Sequence, residues 1–437
     1  NATAQNDDQL PDGSAIQQSL DSLAERKLPE AEQQAMQKVL TTTLQNIEGI
    51  ARAKQAALDL QKQVKTAPQV IKAAKKELLD LAALPATPDL KKYEQYTPEQ
   101  LEVLLNERRT ALTEAQQALS DANSIYINAQ SRPERAQTDT NRMLLRRQQI
   151  DAALSSGKLD GRLINKEART QLQSELQLLQ ANTELLKQQM AANDVLLDLG
   201  TVLREVAALR TGFLDKEMLG LQNLINDKRR AVSEKDIEKF SLEASKTTPD
   251  SLLARENLNN LTLSTRMLEA TDQLNEFNRR NLEVTQQLDS VNQAKKSLDE
   301  NITALKGSML LAKILYRQKK SLEDIRIDSG LADQIADIRL RQFDVGLQRE
   351  KLANPQQYLE QLLSQYPAES VSPAMLDALL QQIKTRSELL ERYSRELNAQ
   401  LNASITLQLT QTILSSNSNE LRDTLEEQMF WVPSNKP

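Results

Sequence analysis

The sequence predicts an all-α protein, an elongated array of long helical hairpins with coiled-coil-like packing. Only 10 Gly and 13 Pro interrupt the 437 residues, and aromatic residues make up 3%. This composition is typical of long helices and coiled coils. Apolar residues recur in alternating steps of four and three, which is the heptad pattern. No segment sustains the strict apolar–polar alternation of a half-buried strand, so we predict no strands.

The composition also argues against several classes of function. The chain has no Cys and no His, so it lacks thiolate ligands, the commonest zinc ligand and the commonest general base. Its net charge of -6 mixes both signs, whereas nucleic-acid binding needs a concentrated basic face. We therefore expect no enzyme activity, no catalytic residues, no cofactor, no metal site and no nucleic-acid partner.

The N-terminal part of the chain is predicted to be a tail followed by a helical domain. Residues 1–13 are polar and carry a turn signal, and we expect them to be disordered. Residues 14–248 are predicted to form a domain of helical hairpins. Its first helix covers residues 14–27, and in the longer helix that follows Pro68 is expected to kink or restart the chain.

Two capping sequences predict further helix starts in this domain. In residues 97–100 (Thr-Pro-Glu-Gln), Thr caps the helix, Pro occupies the first turn, and Gln can reach back to the cap. Residues 131–134 (Ser-Arg-Pro-Glu) have the same form and predict a second start. That helix is expected to end near Gly157. For residues 191–194 the sequence allows either a tight turn or a continuous helix.

Residues 249–437 are predicted to form a second helical domain. Between residues 250 and 322 no Pro occurs and Gly307 is the only Gly, so a continuous helix on the order of 100 Å long is expected. Gly307 is either a hinge or a point of close contact between helices. The most regular apolar seam of the chain lies in this stretch. Its members are Val284, Leu288, Val291, Lys295, Leu298, Ile302, Leu305, Met309, Ala312 and Tyr316.

Breaks are expected near residues 328–330, 354–355 and 366–367, and the last two bracket a short helix. The last helix is expected to begin at Ser372-Pro373 and to stop at the tail formed by residues 429–437. It leads into Phe430-Trp431 and Pro433, and Trp431 is the only Trp of the chain. These aromatic residues are interpreted either as an anchor at a membrane surface or as a cluster that caps a helical bundle.

Charged clusters are interpreted mainly as solvated helix faces. Basic residues cluster at 75–76, 228–230, 279–280 and 317–320, where a lipid or nucleic-acid patch is the functional alternative. That alternative is strongest at 317–320, because this cluster ends the most regular seam. Adjacent carboxylates on a helix point in different directions, so they do not indicate acid–base catalysis.

Several stretches together resemble a known family. They are Leu305-Lys306-Gly307-Ser308-Met309-Leu310-Leu311-Ala312-Lys313-Ile314-Leu315-Tyr316, Ile335-Ala336-Asp337-Ile338-Arg339-Leu340, Arg132-Pro133-Glu134-Arg135 and residues 428–437. On these residues the chain resembles the N-terminal periplasmic region of the MscK-type mechanosensitive channels of the MscS superfamily. The resemblance covers essentially the whole chain.

The resemblance implies a periplasmic location in a Gram-negative bacterium, as part of an inner-membrane protein. It implies transmembrane and channel domains after Pro437, a heptameric homo-oligomer, opening under membrane tension in hypoosmotic shock, and a response to potassium. Residues 249–437 would then be membrane-proximal, with Phe430, Trp431 and Pro433 at the junction with the membrane. The alternative is a periplasmic coiled-coil scaffold or adaptor that is not a channel; envelope components are candidate partners in both cases.

Overall fold

The computed structural model describes residues 10–247, 251–365 and 372–430. Over these residues it is almost entirely helical, and the predicted all-α fold is confirmed. Short 3₁₀ helices cover Leu23–Arg26 and Lys91–Tyr93. The α-helices of the described residues are α1 (Gly13–Asp21), α2 (Glu30–Ala82), α3 (Pro98–Ser156), α4 (Lys166–Ala191), α5 (Asn193–Ser245), α6 (Leu252–Leu305), α7 (Met309–Glu323), α8 (Leu331–Lys351), α9 (Pro355–Ser364) and α10 (Pro373–Phe430).

The chain folds into two compact units. One comprises residues up to 82 together with 118–207, and the other comprises 83–117 together with the residues from 208 onward. The domains predicted from the sequence divide the chain differently, at residues 248 and 249. The predicted boundary between two independently folding domains stays a prediction. Limited proteolysis would test it. Of the predicted disordered tail, residues 1–9 lie outside the described residues, and Gly13 already begins α1.

In the first unit, α2 and α4 run in the same direction and α3 runs against them. Asn46 of α2 donates to the Ser174 hydroxyl of α4 at 3.0 Å. Further along both helices, Val64 lies in the same apolar cluster as Ala192, at the end of α4. Residue numbers therefore rise together on α2 and α4. α3 is antiparallel to α4, because Arg146 of α3 pairs with Glu175 near the start of α4, whereas the earlier Ala129 lies in a cluster with Ala192 at the end of α4.

In the second unit, α6 and α10 are the long parallel pair. Gln400 of α10 donates to the Ala270 carbonyl of α6 at 2.6 Å, and Asn417 donates to Asn292 at 2.8 Å. Parallel helices need a return connection, and α8 runs back along α10, since Arg349 of α8 donates to Ser394 of α10 at 3.3 Å. Gln342 of α8 donates to Asn398 of α10 at 2.7 Å. The core of this part includes Leu390 and Leu397, each 0% exposed.

The capping box predicted at Thr97 is confirmed. The Gln100 side chain accepts from the Thr97 amide at 3.0 Å, and the Gln100 amide donates to the Thr97 hydroxyl at 3.2 Å. Two free amides at the start of α3 are thereby satisfied. Pro98 is the first residue of α3, where its missing amide has no consequence.

The prediction of a second start at residues 131–134 is wrong, and so is a restart at Pro68. α3 runs through Pro133 and α2 runs through Pro68. The Ser131 hydroxyl does not cap a new helix but donates back to the Ile127 carbonyl at 2.8 Å. Proline in a helix interior removes the hydrogen bond to the carbonyl four residues earlier. For Pro133 that carbonyl belongs to Ala129, and a side chain of another helix supplies a donor for it.

The prediction of no strands is also wrong at one point. Lys158–Leu159 and Arg162–Leu163 form a two-stranded antiparallel hairpin between α3 and α4. Asp160 and Gly161 form its turn with φ angles of 50° and 77°. Positive φ at both central residues is the hairpin turn that the dipeptide Asp-Gly favours, so the sequence carried a signal for it. At residues 191–194 only Ala192 separates α4 from α5.

Candidate functional site

Of the site residues predicted from the sequence, the structure describes Gly307 and Phe430, and both lie at the same end of the second unit. Lys295 of α6 lies 2.5 Å from the Glu420 carboxylate of α10. This pair lies about one helical turn beyond the pair of Asn292 and Asn417, so the two helices keep the same parallel register. Ten residues further along lie Leu305, where α6 ends, and Phe430, the last described residue of α10. The candidate functional site is this end, formed by the ends of α6 and α10 and by the start of α7.

Gly307 does not lie within a helix, so the predicted continuous helix over residues 250–322 is wrong. α6 ends at Leu305, and Gly307 takes a φ of 82°, a left-handed conformation that favours glycine. Ser308 then caps α7, accepting from the Leu311 amide at 3.3 Å. The chain reverses here, because Lys319 of α7 lies 3.6 Å from Glu426 of α10. Whether Gly307 acts as a hinge stays a prediction.

The reversal changes which side of the predicted seam is buried. Leu298 and Leu305 are 2% exposed, as expected for the seam. Met309 and Tyr316, however, are 58% and 62% exposed. The buried side of α7 is formed instead by Leu311, Leu315 and Leu322. The seam is therefore correct for α6 and wrong for α7, because a new helix direction brings a different face onto the bundle.

Under this end the leucines of α10 are buried. Leu414, Leu421 and Leu425 of α10 are each at most 1% exposed. Burying a leucine contributes about 1.5–3 kcal/mol, so α10 is firmly held up to its last turn. Phe430, by contrast, is 83% exposed. Trp431 and Pro433 lie outside the described residues, and their place at a membrane junction stays a prediction.

Three charged arrangements in the second unit could not be found from sequence patterns. Arg386 of α10 donates to the Glu256 carboxylate of α6, and its Nε donates to Asn260 at 2.9 Å. The Arg386 and Glu256 side chains are 10% and 4% exposed. A lone Arg or Glu in a leucine-rich helix is usually solvated, so no local signal marks this pair.

The second arrangement joins Arg108 of α3 to Glu217 of α5 at 2.6 Å. The hydrogen bond to Glu217 raises the pKa of Arg108 above its ordinary value. The third is a pair of half-buried carboxyls, Asp215 and Asp289. Burial raises the pKa of both, and the charge of Asp289 raises that of Asp215 further.

Each of these arrangements lies between two helices. Across the described ranges, no three side chains of Asp, Glu, His or Cys are grouped so that they could hold a metal ion. Within the same ranges, no helix combines the length and the apolarity needed to span a bilayer. What the geometry provides is a helical bundle in which two long parallel helices, α6 and α10, reach Leu305 and Phe430 at the same level.

The comparison with protein families decides the class of this chain. Residues 19–255 match the family described as mechanosensitive ion channel porin domain. The chain belongs to that family. The match covers a little over half of the 437 residues and ends at the start of α6, so the candidate functional site lies beyond the matched part.

Two curated relatives extend the similarity past the family match. The chain is 30% identical over 439 aligned residues, its full length, to mechanosensitive channel MscK of Escherichia coli. It is 29% identical over 330 residues, 75% of its length, to an uncharacterized MscS family protein of Haemophilus influenzae. The predicted resemblance to MscK-type channels is confirmed. The chain spans 39% of the first relative and 29% of the second.

Proposed function

We propose that this chain is the periplasmic regulatory and structural region of a mechanosensitive channel that opens under membrane tension in hypoosmotic shock. Its role is to bias gating, and with it the response to potassium, through α10. The single observation that carries the proposal is that α6 and α10 run parallel and reach Leu305 and Phe430 at the same level, with Leu425 fully buried one turn before Phe430. The family match and the similarity to MscK over the whole chain support the channel context.

The physical requirement is a difference in contacts between channel states. A region outside the pore shifts gating only if it interacts differently with the closed and open channel. A packed helix such as α10 can carry such a difference, because its side chains are fixed against α6 along its length. Phe430, Trp431 and Pro433 are then the junction with the membrane domains, and the protein is a heptamer in the inner membrane. Envelope components are the candidate partners of the exposed helices.

The proposal is tested in the full gene product, expressed in bacteria that lack other mechanosensitive channels. A flexible Gly-Ser-Gly-Ser insertion between residues 430 and 431 uncouples α10 from the membrane domains without touching the bundle. We expect it to change the tension threshold in patch-clamp recordings and the potassium dependence of that threshold. The matched control is the same insertion between residues 160 and 161, at the exposed hairpin.

A deletion of residues 1–423 gives the second comparison. If the deletion and the insertion at 430 both leave threshold and potassium dependence unchanged, the gating role is wrong. If the full gene product produces no tension-activated current and lacks apolar spans after Pro437, it is instead a scaffold or adaptor.

The periplasmic location is tested by thiol labelling, since the chain contains no Cys. Leu163 is 81% exposed and Ile383 is 0% exposed, which provides a matched pair of positions. After the outer membrane is permeabilised, a reagent that cannot cross the inner membrane should label Leu163→Cys in intact cells and leave Ile383→Cys unlabelled. Labelling of Leu163→Cys only after lysis would place the region in the cytoplasm.

A further inference from the structure

The second unit has a cavity of about 340 Å³ that opens among α6, α8, α9 and α10. Three cationic side chains line it: Arg266 of α6, Lys351 at the end of α8, and Arg386 of α10. None of the described lining side chains is a carboxylate. A cavity of this volume is large enough for a small molecule. We call it the basic pocket.

The positive charge of the basic pocket is not neutralised by the described part of the chain. Arg266 and Lys351 are exposed, and neither forms an ion pair with a described carboxylate. Cations between other helices of the second unit are paired, as Arg392 is with Asp236 at 2.8 Å. Like charges around one cavity repel each other, and an anion in the cavity is attracted by all of them. The pocket therefore favours a negatively charged ligand.

Arg386 contributes a donor that is already held in place. Its Nε donates to Asn260 at 2.9 Å, and its Nη2 donates to the carboxylate of Glu256 and, at 3.2 Å, to the Glu256 backbone carbonyl. Its Nη1 has no partner among the described residues. Because the guanidinium is fixed through two nitrogens, it loses little side-chain freedom when Nη1 binds a ligand. Glu256 offsets the charge of Arg386, so Arg266 and Lys351 supply the net charge of the site.

The lining of the basic pocket also has an apolar part. Leu263, Leu352 and Leu390 line it and are 7%, 4% and 0% exposed. Tyr358 of α9 lines it as well and is partly buried. Small-molecule sites typically combine apolar lining with a few polar groups that fix the orientation of the ligand. A matching ligand has a small apolar body beside its anionic group.

We propose that the basic pocket binds a soluble organic phosphate, with the phosphate on Arg266, Lys351 and Arg386 and the apolar body on the leucines. The three cations come from three helices. A phosphate presents its oxygens in a tetrahedral arrangement and accepts from several directions, whereas a carboxylate presents two oxygens in one plane. Arginine recognises phosphate through paired hydrogen bonds, and lysine binds it as a point charge.

The position of the pocket along α10 favours a soluble phosphate over a lipid headgroup. Leu390 precedes Phe430 by forty residues of one helix, which corresponds to about 60 Å. Under the proposed function Phe430 lies at the junction with the inner membrane, so the headgroups of that membrane do not reach the pocket. In this respect alone the inference rests on the proposed function.

The test is calorimetric titration of phenyl phosphate into the full gene product, held in nanodiscs of phosphatidylcholine. Phenyl phosphate combines the two chemical features that the pocket selects. Arg266→Met and Lys351→Met should each weaken its binding by about tenfold or more, because each removes a charged hydrogen bond. Arg266→Lys keeps the charge and should bind better than Arg266→Met. The matched control is Lys384→Met, which removes an exposed cation of α10 outside the pocket and should leave the affinity unchanged.

Two further compounds separate phosphate from other chemistry. Benzoate has the same ring with a carboxylate and should bind more weakly than phenyl phosphate. Benzyl alcohol has no charge and should not bind measurably. The inference is overturned if phenyl phosphate does not bind, if benzoate binds equally well, or if Lys384→Met weakens binding as much as Lys351→Met does.

Nanodiscs of phosphatidylglycerol test the source of the phosphate. At physiological ionic strength the charge of a membrane surface is screened over about 8 Å, so the affinity for phenyl phosphate should equal that in phosphatidylcholine. A lower apparent affinity would show that an anionic headgroup competes for the pocket and would overturn the assignment to a soluble molecule. Binding is measured without gating. Its failure therefore leaves the proposed function standing, and an unchanged tension threshold in the insertion variant leaves the binding result standing.

Discussion

Asn193, the first residue of α5, donates through Nδ2 to the Ala129 carbonyl of α3 at 2.9 Å. This carbonyl is the one that Pro133, four residues later, cannot satisfy. Arg132 completes the arrangement by donating to the Asn193 Oδ1 at 2.9 Å. Asn193 is 8% exposed, so water does not readily replace it. The side chain of one helix thus supplies the hydrogen bond that lets another helix continue through proline.

We predict that Asn193→Ala lowers the free energy of unfolding by about 1–3 kcal/mol, because it leaves a buried carbonyl without a donor. In the Pro133→Ala background the same substitution should cost clearly less, since alanine has the backbone amide that restores the helix bond. Urea denaturation of the four variants gives this coupling directly. Equal effects of Asn193→Ala in the two backgrounds would contradict the assignment.

The buried pair of Glu256 and Arg386 predicts a larger effect. Arg386→Met should lower the free energy of unfolding by about 3–5 kcal/mol, because it leaves Glu256 charged and buried without its partner. Adding Glu256→Gln should recover part of this loss. As a control, Arg279 pairs with Glu276 where both side chains are 47% exposed, and Arg279→Met should cost at most about 1 kcal/mol. Similar losses for both arginines would show that burial of the Glu256 pair is unimportant.

Gly307 and Gly212 form a matched pair for glycine substitution. An added Cβ would meet nothing within 4 Å at either residue, but only Gly307 has a positive φ. Gly307→Ala should therefore destabilise the protein by about 1–2 kcal/mol through backbone strain. Gly212→Ala, inside α5, should stabilise it by about 0.5–1 kcal/mol. Thermal unfolding checks both signs, and stabilisation by Gly307→Ala would contradict the reversal at this position.

Leu298→Ala and Leu305→Ala should each lower the free energy of unfolding by about 2–5 kcal/mol, since both side chains are buried in the seam of α6. The control is Leu409→Ala on α10, where the leucine is 60% exposed and the loss should stay within about 0.5 kcal/mol. Chemical denaturation measures all three. Unmoved midpoints for Leu298→Ala and Leu305→Ala would mean that the seam faces solvent.

The half-buried Asp289 predicts a dependence on pH. Burial raises the pKa of Asp289 above its ordinary value, and nearby Arg109 opposes this only in part. Charged Asp289 therefore weakens the fold above its folded pKa, and this penalty disappears as the pH falls below the unfolded value of about 3.9. Asp289→Asn should raise the melting temperature at pH 7. The gain in the free energy of unfolding should be at most about 1 kcal/mol, because water screens the site. The gain should vanish near pH 3.

Glu276→Gln is the control of opposite sign. The hydrogen bond from Arg279 lowers the pKa of Glu276, so its contribution is present above the unfolded pKa and is lost as the pH falls through the lower folded pKa. Glu276→Gln should therefore lower the melting temperature slightly at pH 7 and not in strong acid. A gain for Asp289→Asn that persists at pH 3 would point to packing and not to charge.

Features that depend on neighbouring residues could be predicted from the sequence. The capping box at Thr97 and the start of α10 at Pro373 are set within a few residues, and both were found. Asp160-Gly161 was equally local, and its hairpin could have been predicted. The course of α3 through Pro133 could not, because its support comes from Asn193, 64 residues from Ala129.

The candidate site divides in the same way. The apolar periodicity of the sequence correctly predicted that Leu298 and Leu305 of α6 are buried. The same periodicity does not indicate where the chain reverses direction. Gly307 was recognised as exceptional, and only the packing of α7 on α10 shows that it ends a helix. The pair of Glu256 and Arg386 joins residues 130 positions apart. One sequence cannot indicate which lone charges will meet.

The parallel arrangement of α6 and α10 determines how the second unit resists a pulling force. An antiparallel hairpin pulled at its two open ends separates one contact at a time. In a parallel pair, a force that enters at the end of α10 and leaves at the start of α6 acts on all contacts in shear. Those contacts extend from Glu256 and Arg386 to Lys295 and Glu420. Forced unfolding is governed by the rate of rupture, and shear makes rupture require many contacts to fail together.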